Sequence, residues 1–322
     1  MLVVRLPNWL GDAVMATPVL SALARREEFF LLGRGFLEPL LTSFPGVRGF
    51  IPLENGRWGV LRTARKLRAY GFQRGLLLPN SFSSALIFFL AGIPERVGYA
   101  TDGRSLLLTR RIPRPDVSLH QRDYYLELIS RWGEEIEERD LKLVLSRRSR
   151  DRAARFLRGL TFPLAVLAPG AAYGPAKRWP PERFRALAAE LCRRGFSVVL
   201  LGGAEEARAG EELARDLPRV LNLCGKTDLA EAAAVIERAA VFVSNDSGLM
   251  HVAAALRRPQ VALFGSTDPR ATAPLNPRAV VIRKDLPCSP CLKRTCPEGH
   301  YLCLREISVE EVLLAALEVA EC

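Results

Sequence analysis

The 322-residue sequence lacks any apolar stretch long enough to cross a membrane. Leu76–Ile93 comes nearest, but Pro79, Asn80 and several serines interrupt it. The first residues also lack the basic start and the small-residue cleavage site of a signal peptide. From these two absences we expect a cytoplasmic protein.

Two kinds of nucleotide-related motif are also missing. No loop has the G-x-x-x-x-G-K-[ST] spacing, which excludes a Walker A phosphate site. There is no helix-turn-helix, no RNP motif and no interleaving of basic with aromatic residues. The hypothesis of a nucleic-acid-associated protein is therefore supported only by the basic composition and the cysteines. We expect no nucleic-acid partner.

Acidic residues are fewer than basic ones, with 35 Asp and Glu against 46 Lys and Arg, a net charge of +11. The first 150 residues hold 23 basic and 15 acidic side chains, a net of +8, and the remainder 23 and 20, a net of +3. A basic first half indicates an anionic partner, such as a membrane surface or a phosphorylated substrate. The alternative is a compositional bias towards Arg with no functional meaning.

Short apolar runs alternate with helical segments throughout both halves. This rhythm predicts parallel sheets covered by helices on both faces. The predicted fold is α/β, with two Rossmann-like, doubly wound domains at residues 1–150 and 151–322 and one strand-like run, Leu141–Leu145, near the junction. In such folds ligands bind at the carboxyl ends of the strands, here in the cleft expected between the domains.

The stretch Ser244–His251 (SNDSGLMH) follows an apolar run at residues 239–243 that reads as a buried strand, and it leads into a helix. The N–H groups at the start of a helix carry partial positive charge and attract phosphate. The turn is therefore a candidate diphosphate site, and the alternative is an ordinary capped turn.

Three other turns at predicted strand ends carry chemically useful residues. Asp12 follows Gly11 near a helix start and could act as a general base or merely cap that helix. The loop at residues 169–180 combines small residues with Lys177 and Arg178, which could neutralise a phosphate or lie in solvent. Residues 202–206 (GGAEE) could hold a sugar diol through a carboxylate.

Four of the seven cysteines are clustered, in the order Cys288, Cys291, Cys296 and Cys303, with His300 among them. The spacing permits three interpretations: a structural zinc ion, disulfides, or free thiols. No catalytic metal is expected. Cys192 and Cys224 lie in apolar contexts that favour the core.

These motifs together resemble glycosyltransferase family 9, the ADP-heptose:lipopolysaccharide heptosyltransferases. Four segments carry the resemblance: PNWLGDAVM at 7–15, PG at 169–170 through KRWP at 177–180, NDSGLMH at 245–251 and FGSTDP at 264–269. Within the family, LPNSFSSA at 78–85 and the cysteine segment are most similar to the heptosyltransferase II group. The resemblance implies a GT-B fold and metal-independent, inverting transfer of heptose from ADP-heptose to a heptose on the Kdo–lipid A stem.

The resemblance also implies roles for individual residues. Asp12 matches the general base and Lys177 the diphosphate-binding lysine. The remaining donor-binding positions are Tyr173, Glu205 or Glu206 for the ribose, Thr227 and Leu229 for adenine, Asp246 towards the heptose, Ser247, Gly248 and Leu249 for the diphosphate, and His251 nearby. Ala172 and Tyr173 replace a Thr pair of heptosyltransferase I, so that phosphate contact is not carried over.

The basic first half then acquires a role in binding the acceptor. The candidate residues are Arg62, Arg65, Lys66, Arg96 and Arg104, which could meet the anionic groups of Kdo–lipid A and the inner face of the cytoplasmic membrane. A peripheral membrane association follows from this interpretation. The alternatives are heptosyltransferase I or III activity, or a nucleotide-sugar epimerase on the same fold.

Overall fold

The computed structural model describes residues 1–321 and forms two compact units, Met1–Val144 and a second that begins at Leu145. Each unit is built on its own six-stranded, fully parallel sheet. No helix of this described part is long and apolar enough to span a membrane.

The first unit has the strand order β3-β2-β1-β4-β5-β6. Its elements are β1 Leu2–Arg5, α1 Leu10–Met15, α2 Thr17–Ala24, β2 Phe29–Gly33, α3 Glu38–Leu41, β3 Val47–Pro52, α4 Gly59–Arg68, β4 Arg74–Leu77, α5 Phe82–Leu90, β5 Glu95–Tyr99, β6 Arg110–Ile112 and α6 Gln121–Trp132. The central strand β1 is apolar along most of its length because helices cover both faces of the sheet. The strand order reverses between β1 and β4, and the carboxyl ends of these two strands are where such a sheet places its ligand.

The second unit repeats this topology in the order β12-β11-β10-β7-β8-β9. Its elements are α7 Arg147–Phe156, β7 Leu164–Ala168, α8 Pro181–Arg193, β8 Ser197–Leu200, α9 Ala207–Ala214, β9 Val220–Asn222, α10 Leu229–Ile236, β10 Val241–Asn245, α11 Gly248–Ala255, β11 Gln260–Phe264, α12 Pro269–Thr272, β12 Ala279–Arg283, α13 Leu302–Arg305 and α14 Val309–Glu321. Here the order reverses between β7 and β10, which pair in parallel with Ser244 opposite Ala168.

The boundary between the two units falls after Val144, whereas the sequence predicts it after residue 150. Helix α7 begins after Ser146, whose hydroxyl caps it by accepting from Ser149 N at 3.1 Å. Arg150 of α7 forms two 2.8 Å hydrogen bonds to the carboxylate of Glu237, at the end of α10. These contacts attach α7 to the second unit.

The run Leu141–Leu145 does not form the strand that its apolar residues indicated. The backbone N–H of Lys142 instead donates to the hydroxyl of Thr17 at 3.1 Å. A side chain thus satisfies this backbone group, which in a strand would pair with a neighbouring strand.

Trp179 anchors the core of the second unit directly beside the predicted donor loop. It is fully buried, packs edge-on against Phe184 at 4.9 Å between ring centroids, and donates from Nε1 to the carbonyl of Ile307 at 3.0 Å. A large buried aromatic whose polar atom is satisfied is a strong packing anchor. The chain immediately before it, including Lys177, is therefore held at a defined position above the sheet.

Candidate active site

The turn between β10 and α11 lies at the point where the strand order of the second sheet reverses. Ser247 precedes α11 in an extended conformation, and its side chain makes no capping hydrogen bond. Its hydroxyl oxygen is buried and has no hydrogen-bond partner within residues 1–321. The Ser247 side chain therefore does not cap the start of α11 at Gly248 and Leu249. Backbone N–H groups at a helix start that no side chain caps can bind an anion.

Lys177 lies at this turn and forms an ion pair with Asp246. The ammonium nitrogen is 2.5 Å from Oδ2 of Asp246, and the two side chains are only 13% and 5% exposed. The hydroxyl of Thr267 donates to the same carboxylate oxygen at 2.6 Å. Three turns, after β7, β10 and β11, thus bring a cation, an anion and a hydroxyl together.

Asn245 holds two of these turns in register. Its side-chain oxygen accepts from the backbone N–H of Trp179 at 2.9 Å, and its amide nitrogen donates to the carbonyl of Pro169 at 2.7 Å. The residue is fully buried. Asn245 and Thr267 lie within the sequence motifs, but the motifs indicate no individual role for them, because only the folded chain shows which turns they join.

Tyr173 stands beside Lys177 in the same loop. Its ring centroid is 4.9 Å from the lysine ammonium, a cation–π distance, and its hydroxyl donates to the carbonyl of Leu292 at 2.8 Å. Arg178, the second basic residue of the loop, has different partners from Lys177. Its guanidinium donates to the carbonyl of Ala171 at 3.1 and 3.2 Å.

The structure distinguishes Glu206 from Glu205 after β8. Glu206 is half-buried, accepts from the backbone N–H of Gly203 at 2.8 Å, and lies so close to Gly170 that a Cβ there would be 2.8 Å from its carboxyl carbon. Glu205 is exposed. Glu206 is thus the one of the pair at the strand-end cluster.

The other predicted donor residues occupy the neighbouring strand ends. Thr227 is half-buried in the turn after β9, and Leu229 begins α10, whose start is capped by Asp228 accepting from Glu231 N at 2.8 Å. His251 is buried on α11. Since the sheet runs β10-β7-β8-β9, the residues after β10, β8 and β9 form a row along one edge of the sheet.

In the first unit, Asp12 is a half-buried residue in the first turn of α1. The phenol of Tyr125, on α6, lies close enough that the charge of Asp12 affects it. Burial raises the pKa of Tyr125 well above its ordinary value, and the Asp12 carboxylate raises it further. Tyr125 therefore stays neutral beside Asp12 over the whole working range of pH.

The basic residues of the first unit separate into two groups. Arg62, Arg65 and Lys66 are exposed on α4, and Glu54 lies 3.9 Å from Arg62 and 3.5 Å from Lys66. Arg62 also donates to the backbone carbonyl of Asn55. The buried face of α4 consists of Gly59, Thr63, Ala64 and Leu67. The charged face is consequently available to an anionic partner.

Arg104 and Arg96 do not lie free on that surface, in contrast to the expectation from sequence. Arg104 is fully buried and donates to the backbone carbonyls of Tyr99, at 2.9 Å, and Pro79. Burial lowers its pKa to about 10. Arg96 is half-buried, donates to the carbonyl of Leu107 at 2.6 Å, and has its pKa lowered by burial. Both guanidinium groups therefore act as internal links.

The four clustered cysteines line one small cavity of about 20 Å³, together with His300. They are free thiols, so the disulfide interpretation has no support. Burial raises the pKa of Cys303, and its three neighbouring cysteines raise it further. Within the described residues, however, no three His, Cys, Asp or Glu side chains are arranged as a metal site.

Comparison with known proteins identifies the family. The model of glycosyltransferase family 9 (heptosyltransferase) matches residues 60–302. The chain belongs to glycosyltransferase family 9. The predicted family and enzyme class are confirmed, and this glycosyltransferase carries the Lys177–Asp246–Thr267 cluster inside the matched region.

Individual relatives cover nearly the whole glycosyltransferase. It is 34% identical over 330 residues to lipopolysaccharide heptosyltransferase 2 of Salmonella typhimurium, with 95% of this chain and 94% of the relative covered. It is similar to the solved structure of Escherichia coli ADP-heptose lps heptosyltransferase II, at a TM-score of 0.84 and 31% identity over 99% of this chain and 98% of that one. The family 9 glycosyltransferase of Veillonella parvula matches at a TM-score of 0.85 and 25% identity, over 99% and 97%. These matches confirm the predicted GT-B fold.

Proposed function

We propose that this glycosyltransferase moves a heptosyl group from ADP-heptose to a heptose of the lipopolysaccharide inner core, with inversion at the anomeric carbon. The single observation that carries the proposal is the buried Lys177–Asp246 pair beside the uncapped start of α11. Such a cluster suits a diphosphate next to a sugar. The names of the relatives supply the identity of that sugar and of the acceptor class.

We assign the donor to the second unit, along the edge of its sheet. The diphosphate would lie against the N–H groups of Gly248 and Leu249, with Lys177 as its cation. The ribose would then be at Glu206, whose carboxylate can accept from a diol, and adenine at Thr227 and Leu229. The order of these strand ends matches the order of diphosphate, ribose and base in ADP.

The chemistry needs a base and a stabilised leaving group. Asp12 would take the proton from the acceptor hydroxyl while its oxygen attacks the anomeric carbon. The bond from that carbon to the phosphate oxygen breaks, and ADP leaves with the electron pair. Lys177 and the N–H groups of α11 would stabilise the charge that develops on ADP.

We assign the acceptor to the first unit. The exposed cations Arg62, Arg65 and Lys66 share a helix face that suits the phosphates and carboxylates of Kdo–lipid A and the anionic inner face of the membrane. Arg96 and Arg104 are left out of this assignment, because their guanidinium groups are half-buried or buried and donate to several backbone carbonyls.

Transfer assays with purified protein, ADP-heptose and defined acceptors would test the proposal. We expect product with a Kdo–lipid A acceptor carrying one heptose and none without it. Transfer to the heptose-free acceptor would indicate heptosyltransferase I activity, and interconversion of a nucleotide sugar without any acceptor would indicate an epimerase. Asp12→Asn should abolish turnover while ADP still binds.

A structural zinc ion at the four cysteines is a separate part of the proposal. Thiolates are the ligands that zinc prefers, and the cavity has room for a single ion. The side chains that line the cavity would have to rearrange, since within the described residues they do not form a group of three metal ligands. Elemental analysis of the purified chain should find about one zinc per molecule, and its absence would leave free thiols as the assignment.

A further inference from the structure

Two cations lie against the ring of Tyr173. The ammonium of Lys177 is 4.9 Å from its centroid, and the guanidinium carbon of Arg294 is 5.4 Å from the same point. The two charges are therefore within about 10 Å of each other. A diphosphate has two groups of oxygens, which two such cations can bind together.

The two cations differ in how they are neutralised. Lys177 is paired with Asp246 at 2.5 Å and is mostly buried. Arg294 is exposed, and within residues 1–321 its guanidinium has no carboxylate partner. Its guanidinium instead lies over the ring of Tyr173. Among the described residues, Arg294 is thus the cation beside this loop that has no carboxylate counterion.

The backbone around Arg294 is attached directly to the donor loop. Its carbonyl accepts from the N–H of Ala176 at 3.0 Å, and a Cβ on Gly174 would lie 2.5 Å from that same oxygen. Such close approach is possible only because Gly174 has no side chain. The backbone of Arg294 therefore packs directly against the loop at residues 169–180, which carries Lys177.

A second attachment ties the same segment to the third turn of the site. The carbonyl of Leu292 accepts from the hydroxyl of Tyr173 at 2.8 Å, and its N–H donates to the carbonyl of Ser266 at 2.7 Å. Ser266 precedes Thr267, which contacts Asp246. Residues 292–294 thus bridge the two turns that surround the Lys177–Asp246 pair.

We propose that Arg294 is a second diphosphate-binding cation of the donor site, held in place by its cation–π contact with Tyr173. This inference rests on the proposed function, because it assumes that the donor is a nucleoside diphosphate sugar. Arg178, the obvious second cation from sequence, is engaged by the carbonyl of Ala171 and lies 3.8 Å from Glu206. A guanidinium presents a planar pair of donors that suits phosphate oxygens.

The test compares Arg294→Met with Lys293→Met, its exposed neighbour, as the matched control. Binding of ADP and of adenosine is measured by calorimetry, and the donor KM and kcat by a transfer assay. We expect Arg294→Met to weaken ADP binding by about tenfold, the lower end of the loss for one charge-assisted hydrogen bond, because Arg294 is exposed. Adenosine binding should be unchanged. Lys293→Met should bind both ligands as the wild type does.

Arg294→Lys separates charge from geometry and guards against a folding defect. It should recover part of the ADP affinity, because it restores the charge but not the planar pair of donors. Wild-type ADP affinity in Arg294→Met, together with a loss in Lys177→Met, would overturn the role of Arg294 and leave the proposed function standing. Unchanged ADP affinity in both variants would overturn the placement of the diphosphate itself.

Discussion

The ion pair between Lys177 and Asp246 makes a quantitative prediction about stability. Lys177→Met keeps the length of the side chain but removes the cation from the Asp246 carboxylate, which is 5% exposed. The Thr267 hydroxyl, at 2.6 Å, then remains the partner of Asp246 Oδ2 in the described part of the chain. Removing one member of a buried pair costs about 3–5 kcal/mol, and the remaining hydrogen bond favours the lower end. We therefore expect a loss of about 3 kcal/mol in the free energy of unfolding, which corresponds to a melting temperature lower by roughly 6–12 °C.

The double variant Lys177→Met/Asp246→Asn supplies the decisive comparison. It removes both charges and keeps both shapes, so its stability should lie within about 1 kcal/mol of the wild type. The coupling energy from the four proteins, measured by urea unfolding, should then be about 2 kcal/mol or more. Additive effects of the two substitutions would show that the pair is not energetically coupled and would refute this reasoning.

The same three variants separate stability from ligand binding. Lys177→Met should weaken ADP binding by about 10- to 150-fold, because a charge-assisted hydrogen bond is worth about 1.5–3 kcal/mol. Asp246→Asn should bind ADP at least as tightly as the wild type, since it removes a negative charge that competes for the lysine. An equal loss of ADP affinity in both single variants would contradict this competition.

Three further predictions concern other parts of the chain. Asn245→Ala should raise the donor KM and lower the free energy of unfolding by roughly 2 kcal/mol, measured by kinetics and urea unfolding, because Trp179 N and Pro169 O lose their partner. Arg104→Met should lower the free energy of unfolding by roughly 3 kcal/mol, and with it the melting temperature, because buried carbonyls such as that of Tyr99 lose their donor. ADP affinity should stay unchanged. The hydrogen bond from Arg150 lowers the pKa of Glu237 below its usual 4.5. The contribution of this carboxylate to the free energy of unfolding is therefore complete above pH 4.5 and disappears as the pH falls through the lowered pKa. Glu237→Gln should match the wild type in acid unfolding and be less stable, by under about 1 kcal/mol, at neutral pH.

Local sequence patterns were sufficient for the alternation of strands and helices. The apolar run before Ser244 became the buried strand β10, and the residues after Ser247 became α11, because burial and helix periodicity act over a few neighbouring residues. The prediction of a strand at Leu141–Leu145 was wrong because local composition does not decide strand pairing. Its composition suits a strand, but a strand needs a neighbour to pair with, and its Lys142 N–H found a threonine hydroxyl.

The assignment of basic residues shows where composition ceases to be informative. Arg62 and Arg104 are indistinguishable by residue type, yet one lies exposed on α4 and the other is fully buried. Burial of an arginine depends on whether distant backbone carbonyls, here those of Pro79 and Tyr99, converge on it. That convergence is a property of the packed sheet and is not written in the residues next to Arg104.

The sequence by itself determined the doubly wound α/β fold, the family resemblance and the turns that carry Asp12, Lys177 and Asp246. It could do so because strand, turn and helix preferences are local, and because the motifs stand in order along the chain. Tertiary structure alone decided that Lys177 is paired with Asp246, and that Arg294 rather than Arg178 shares the ring of Tyr173 with it. Those contacts join residues that are far apart in sequence, and only the packing of parallel strands brings their carboxyl ends to one edge.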